Sequence, residues 1–327
     1  MLKFKCYIQL VIKKKVGMEM KVKVAIVGGG SVGLLLAGYT ARIAETVLVC
    51  RRHSQKEMIE RYGIHVQGQF TAEVEAVTWG EKKKAVEHAD LIIIAVKSYD
   101  LEKIWKSLPE IKPGAGVLFL QNGMAHTPLL EQSQKQNVYH TFAGIVEHGA
   151  LKVNDNTVKH TGQGILHIGA VTNESPLLQQ MLHIFDEAGL AAKKIAHWKE
   201  KMEEKLLFNS VINPLTALFQ VKNGELIYNP YFKKVMKQLF MEASSALSLP
   251  HRPNLWHDLC ALCEITAENQ SSMLRDVLHH RPTELDAITG YLVKKGESQR
   301  IPMPCHNFVY QSIKGLEKRR GGKWGMY

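Results

Sequence analysis

No apolar run in the 327-residue chain approaches the roughly 18–20 residues that a helix needs to cross a bilayer. A membrane protein built on helices is therefore not expected, although 45% hydrophobic residues suffice for one large or two ordinary cores. A disulfide framework is missing too. The five cysteines are an odd number, and only Cys260 and Cys263, in CALC, have C-x-x-C spacing. No second Cys pair or His pair follows at the spacing of a zinc site, and the flanks WHDLCALCEIT read as helix. No metal is expected, and unpaired thiols fit a reducing cytoplasm. Net charge is scarce in the body of the chain. Of the net +11, residues 1–23 carry +6 and residues 314–323 carry +4, so the remainder is nearly neutral. A nucleic-acid-binding domain is not expected on that distribution, and the basic ends read as solvated tails. The apolar run Cys6–Ile12 contains Gln9 and ends in lysines rather than a small-residue cleavage site, unlike a signal peptide. Residues 1–19 read as an appendage, with Met18 or Met20 as a natural start.

What is present begins with VKVAIVGGGSVGLLLAGYTA. A strand over Val22–Val27 runs into Gly28, Gly29, Gly30, Ser31, Val32 and Gly33, and an apolar helix follows. Glycine-rich turns are common, but this one has the strand before, the helix after and a further strand, ETVLVC, some twenty residues on. Glycines let the backbone approach a pyrophosphate, and the helix N-terminus supplies unpaired N–H groups to it. Dinucleotide binding is the expectation. The second strand lacks the carboxylate that an NAD-binding chain usually carries at its end to hold the ribose 2′-hydroxyl. It offers Arg51 and Arg52 instead. A guanidinium pairs well with a 2′-phosphate, so NADP(H) is expected, with Arg51 as its reader. Two more strands, ADLIIIAVKSYD ending at Lys97 and GVLFLQNGM ending at Asn122, put those residues at carboxyl ends where open α/β sheets bind ligands. Plain turn chemistry accounts for Asn122-Gly123 equally well. NTVKHTGQGILHIGAV reads as strand and SPLLQQMLHIFDEAGL as helix.

From about Trp198 the strand patterns stop. Helical spacing predicts Trp198–Phe219, Tyr231–Leu247, Leu255–His279, Glu284–Lys295 and Cys305–Arg319, with prolines between them. The fold class is therefore α/β, an N-terminal Rossmann-type doubly wound parallel sheet followed by an all-α domain. The boundaries drawn are 20–195 for the cofactor domain and 196–327 for the helical one, with the cleft between them as ligand site. The first predicted helix contains EKLLFNSVINPLTALF, where Lys205, Asn209 and Asn213 recur every four residues and form one stripe. Asn is a poor helix former, and Pro214 removes an N–H. The stripe is expected to face the cleft while Leu206, Leu207, Phe208, Val211 and Ile212 seat the helix, and Pro214 is expected to bend it so that Asn213 faces the ligand.

KLLFNSVINPLTALF, NGEL at 223–226, AENQSSMLRD at 267–276 and TELDAITGYL at 283–292 resemble the ketopantoate (2-dehydropantoate) reductase family. VGGGSVG, AVKS and QNGM match it too, so that the resemblance covers roughly residues 20–320 with the motifs in order. It implies NADPH-dependent reduction of 2-dehydropantoate to (R)-pantoate on the way to coenzyme A. It implies Lys205 as the catalytic lysine, with Asn209, Asn213, Asn223 and Ser272 on the substrate. Glu284 would serve the cofactor and the active site, Asn122 would touch both ligands, and Lys97 and the backbone at Ala150 would meet the cofactor. Hydride delivery to a ketone leaves an alkoxide, for which an ammonium both donates a proton and stabilises charge. Glu284 is then expected to hold Lys205 and bias its pKa. Two other readings stay open. One is a sibling reductase of another small branched 2-keto acid. The other is a non-catalytic NADP-binding sensor, against which Lys205 and Glu284 argue. A homodimer is compatible with the sequence and is not dictated by it.

Overall fold

The computed structural model describes residues 22–136, 139–173, 175–249, 252 and 254–319. The appendage at 1–19 and the end of the basic tail lie outside the described residues. In chain order the first half comprises β1 (Lys23–Val27), α1 (Ser31–Thr40), β2 (Glu45–Cys50), α2 (His53–Tyr62), β3 (Ile64–Val66), β4 (Phe70–Ala72) and β5 (Glu75–Thr78). It continues through α3 (Lys83–Glu87), β6 (Leu91–Ile94), α4 (Ser98–Lys106), β7 (Gly116–Phe119), α5 (Thr127–Gln136) and β8 (His140–Val146). Then come β9 (Gly149–Lys152), β10 (Thr157–Gly162), β11 (Leu166–Ala170), α6 (Pro176–Ala188) and β12 (Ala192–Lys194). The helical half holds α7 (Trp198–Phe219), α8 (Glu225–Tyr228), α9 (Pro230–Ala246), α10 (Leu255–Ile265) and α11 (Ser272–Leu278). A π-helical turn (Asp286–Gly290), α12 (Tyr291–Gln299) and α13 (Pro304–Arg319) complete it.

Eight strands form one sheet in the order β12-β11-β8-β7-β6-β1-β2-β5. Every pairing is parallel except β11 against β8. Read from β5 to β8 this is the doubly wound order, and its switch point falls between β1 and β6, where ligands bind. The Leu-Ile-Ile-Ile run of β6 is buried along its whole length, as a parallel strand covered on both faces must be. Helix ends follow local chemistry. Ser175 caps α6 by accepting the Leu177 N–H, Pro176 opens it, and Gly189 closes it at φ +81°.

Helix α7 joins the two halves. Its first turns pack on the sheet, where Trp198 lies where a Cβ on Gly169 would stand, 2.4 Å from the Trp198 Cβ. Leu206, Leu207, Val211 and Ile212 are buried as expected. They belong to one apolar core that runs from Val27 and Ile94 of the sheet to Leu239 of α9 and Ile313 of α13. The helix continues past Pro214 to Phe219.

Four expectations need correction. NTVKHTGQGILHIGAV is two strands in different sheets: β10 joins a small sheet, β4-β3-β10-β9, while β11 joins the main one. Gly164 makes that turn possible, since a Cβ there would lie 2.3 Å from the Glu147 carbonyl oxygen. The helix predicted over Leu255–His279 breaks at 266–271. The carbonyls of Ala267 and Asn269 leave the helix to accept the Gly224 and Asn223 N–H groups, and Ser271 caps α11. The helix predicted from Glu284 opens instead as the π-helical turn. Finally β6 and β7 end at Ile94 and Phe119, so Lys97 and Asn122 stand in the loops beyond, Lys97 as N-cap of α4.

Candidate active site

At the switch point Gly28 adopts φ +118°, and a Cβ there would meet the Ala95 carbonyl carbon at 2.9 Å. A Cβ on Gly33 would fall 1.8 Å from the Gly28 oxygen. These two glycines are demanded by packing. Gly30 is different, because among the described residues nothing lies within 4 Å of its would-be Cβ, so space remains for a ligand. Gly30 is the N-cap of α1, which has no side-chain cap and no acid in its first turn. Among the described residues no acceptor takes the N–H groups of Ser31, Val32 and Gly33. An uncapped helix start facing open space accepts a pyrophosphate, so the residues fit a dinucleotide. Ser31 Oγ accepts the backbone N–H of Lys152 at 3.1 Å. That bond ties the loop to β9, on which Ala150 pairs with His160. Arg51 follows β2 directly and is exposed, with no hydrogen bond or ion pair from its side chain among the described residues. Arg52 is occupied by Asp155.

Across the switch point, Lys97 is held by two acids from the helical half. Its Nζ lies 3.1 Å from Glu284 Oε2 and 3.2 Å from Asp276 Oδ2. Glu284 is 5% exposed, yet each oxygen is satisfied: Oε1 accepts the Ser98 N–H and Oε2 accepts from Asn122 Nδ2 at 3.0 Å. Burial pushes the Glu284 carboxyl up, but the Lys97 charge and the three donors outweigh it and hold the group below the usual carboxylate range. Burial likewise opposes the charge on Lys97, and the two acids raise it above its ordinary value. The Asn122-Gly123 turn has the positive φ that turn chemistry expects, and it is tied to the helical half. Asn122 reaches Glu284, and Gly123 at φ +76° lets the Ala287 carbonyl come within 2.1 Å of a would-be Cβ.

Lys205 of α7 lines one narrow cleft with Gln121, Asn122, Gly144, Ile145, Met202 and Leu206. Lys205 Nζ donates to the Val146 carbonyl at 2.7 Å. Burial pushes its pKa down to about 8, with Glu147 and Glu284 pulling the other way. No hydrogen bond joins Lys205 to Glu284, whose oxygens are taken by Lys97, Ser98 and Asn122. The expectation that Glu284 holds Lys205 is corrected accordingly: Glu284 acts on it through charge, and the Val146 carbonyl anchors it. Asn209 is half-buried and Asn213 is 6% exposed, and neither side chain has a hydrogen-bond partner among the described residues. An amide so placed and unpaired is costly unless a ligand completes it. Asn223 Nδ2 donates to Thr266 Oγ1 at 2.9 Å, while its buried Oδ1 accepts nothing among the described residues. Ser272 opens α11, which the Thr216–Ser271 hydroxyl pair ties to α7 one turn beyond Asn213. Two residues at the site escape sequence reasoning. Asp276 shares Lys97, and buried His126, pushed down to about 4 by burial, stands neutral near Glu284. Neither lies in a distinguishing pattern: Asp276 sits on an ordinary helix and His126 in the turn before α5. The C-x-x-C pair sits on α10, with Cys263 buried and Cys260 half-buried. Among the described residues no cluster of His, Cys, Asp and Glu could hold a metal ion, and no helix is long and apolar enough to cross a membrane.

A doubly wound sheet with an open glycine loop, facing a helix that carries a lysine of lowered pKa, defines a nicotinamide-dependent oxidoreductase. Comparison with known proteins makes the assignment narrower. Residues 24–173 match the family described as ketopantoate reductase PanE/ApbA, and residues 197–317 match its C-terminal part. The chain belongs to the ketopantoate reductase family. It is 38% identical over 300 residues to the 2-dehydropantoate 2-reductase of Bacillus subtilis, covering 90% of this chain and 98% of that one. It is 34% identical to that of Listeria monocytogenes, covering 92% and 98%. The crystal structure of the probable Bacillus subtilis enzyme superposes with a TM-score of 0.77 at 37% identity, over 90% of this chain and all of that one. D-mandelate dehydrogenase in its ternary structure with NADH and anilino(oxo)acetate shares the fold, with a TM-score of 0.80 at 22% identity over 92% of this chain and all of that one.

Proposed function

We propose that the protein reduces 2-dehydropantoate to (R)-pantoate with NADPH, in the branch leading to coenzyme A. The observation that carries this is the stripe on α7. A half-buried lysine with a pKa of about 8 lies on the same helix face as two asparagines left without side-chain partners among the described residues. When bound along Gly28–Gly33, the nicotinamide cofactor supplies the hydride. Lys205 holds the proton that the developing alkoxide takes at its oxygen, and its charge stabilises that oxygen before transfer. Asn209, Asn213, Asn223 and Ser272 orient the substrate's carboxylate and hydroxyl without adding charges that compete with the lysine. Lys97, Asn122, Glu284 and the Ala150 backbone serve the cofactor side, with Asn122 also meeting substrate. Arg51, exposed and unpaired among the described residues beside the end of β2, supports a 2′-phosphate and hence NADPH over NADH. Residues 20–195 form the cofactor half and 196–327 the substrate half in this reading, and four free cysteines among the described residues suit a cytoplasmic setting.

The test follows NADPH oxidation at 340 nm with 2-dehydropantoate beside a panel of other 2-keto acids. Turnover confined to 2-dehydropantoate is expected. A preference for another branched 2-keto acid moves the protein to a sibling reaction, and NADPH binding without oxidation of any acid removes the enzymatic reading.

A further inference from the structure

The turn between β9 and β10 reaches across the glycine loop and brings an acid to it. Asp155 Oδ1 pairs with Arg52 Nη2 and lies 3.2 Å from Lys152 Nζ. Lys152 Nζ in turn donates to the Gly29 carbonyl at 3.0 Å. Gln55 Nε2 locks the group from α2, donating to both the Gly29 and the Asp155 carbonyls at 2.9 Å. The cluster joins segments about a hundred residues apart, from β2–α2 and from β9–β10, directly over the loop that receives a dinucleotide. Arg51 stands beside it, exposed and unpaired among the described residues. Asp155 and Lys152 are each about a quarter exposed in their side chains and Arg52 about half, so water and ligands can reach them.

Two cations that share one carboxylate at a phosphate-binding loop are two cations withheld from a phosphate. We infer that Asp155 moderates the cofactor selectivity of this protein: its carboxylate engages Arg52 and Lys152 beside the glycine loop and competes for them with a ribose 2′-phosphate. The inference rests on the reading of the site as one for NADP(H). An NADPH phosphate brings nearly two negative charges and displaces the carboxylate, leaving Arg51, Arg52 and Lys152 around it. NADH brings no charge there, so Arg52 and Lys152 stay with Asp155 and the adenosine ribose meets a neutralised cluster. The cost of displacing Asp155, and its repulsion of the incoming phosphate, fall on NADPH alone. Asp155 therefore moderates a preference that the three cations create.

The experiment measures the dissociation constants of NADPH and NADH by titration calorimetry on the full chain, without keto acid, and compares their ratio between variants. Asp155→Asn removes the competing charge while keeping the turn's size. It is expected to strengthen NADPH binding about tenfold, the order of effect of removing one competing charge in a solvent-rich site, with NADH changed less than twofold. Lys152→Met is expected to shift the ratio the opposite way. An Asp155→Asn protein that melts like the wild type but binds NADPH no more tightly relative to NADH overturns the inference. So does a Lys152→Met protein with an unchanged ratio. Should the wild type itself prefer NADH, the NADPH reading fails, while the direction of the Asp155→Asn shift still decides the role of Asp155.

Discussion

Replacing Lys205 by methionine should abolish turnover and at the same time stabilise the free protein. The lysine's pKa falls from 10.5 to about 8 because burial penalises its charge. A lowering of that size corresponds to about 3 kcal/mol against the charged form in the fold. Methionine has a similar unbranched stem and no charge to desolvate. The substitution also leaves the Val146 carbonyl without its 2.7 Å donor, which offsets about 1 kcal/mol. A net gain of about 2 kcal/mol remains, or a melting-temperature rise of about 4 °C for a chain of this size. The sign depends on pH in a checkable way. A lysine with a depressed folded pKa destabilises fully below about 8, where it is charged in both states. The penalty shrinks as pH climbs toward 10.5 and vanishes above it, where the unfolded state is neutral as well. The advantage of Lys205→Met should therefore fall by about 2 kcal/mol between pH 7 and pH 9.5. Paired urea titrations of both proteins at the two pH values, without ligands, read this directly. A variant no more stable than the wild type at pH 7, or equally advantaged at both, would show that the lysine's charge is not held at the cost calculated.

Three further outcomes follow from the same geometry. The rate of keto-acid reduction, as kcat/KM, should be flat below pH 8 and fall about tenfold per pH unit above it, because the protonated lysine is the active form. An acid limb with a rising rate up to pH 8 contradicts the role assigned to Lys205. Glu284→Ala strips Lys97 of one of its two acids and leaves the Ser98 N–H and Asn122 amide unpaired. It should lower stability by about 3 kcal/mol in chemical denaturation, and a loss near zero would mean the cluster is solvated rather than buried. Gly123→Ala forces a side chain into φ +76° and toward the Ala287 oxygen, so thermal melts should register a loss of about 2–4 kcal/mol, and an unchanged melt means the turn has room to give.

How far the sequence reaches can be seen residue by residue. Helix α7 is predicted with its observed ends because its apolar spacing is helical and its flanks carry no competing pattern. The glycine loop is legible because strand, turn and helix succeed one another within a single short segment. The small sheet is not, since it pairs β3 with β10 across about ninety residues and its strands are short and half polar. Lys152, Asp155 and Gln55 acquire meaning only through that pairing, so no local pattern distinguishes them from solvated side chains. Glu284 is anticipated as a site residue but assigned to Lys205, because spacing along a chain does not say which of two lysines a carboxylate meets.

The continuity of the core through α7 also bears on how the protein comes into being. A ribosome releases the cofactor half first. At that stage Trp105 of α4 already packs on Phe119, but the share of the core that α7 contributes beside Val27, Ile94 and Ile145 is missing, and Lys97 waits for acids encoded some 180–190 residues later. The first half thus emerges with an exposed apolar face and a lone ammonium at its ligand crevice. Both are relieved in one event when α7 and the segments that follow it dock. A chain ending before residue 276 would accordingly lack both acids that hold Lys97. The last quarter of the chain completes the floor of a site that the first quarter begins.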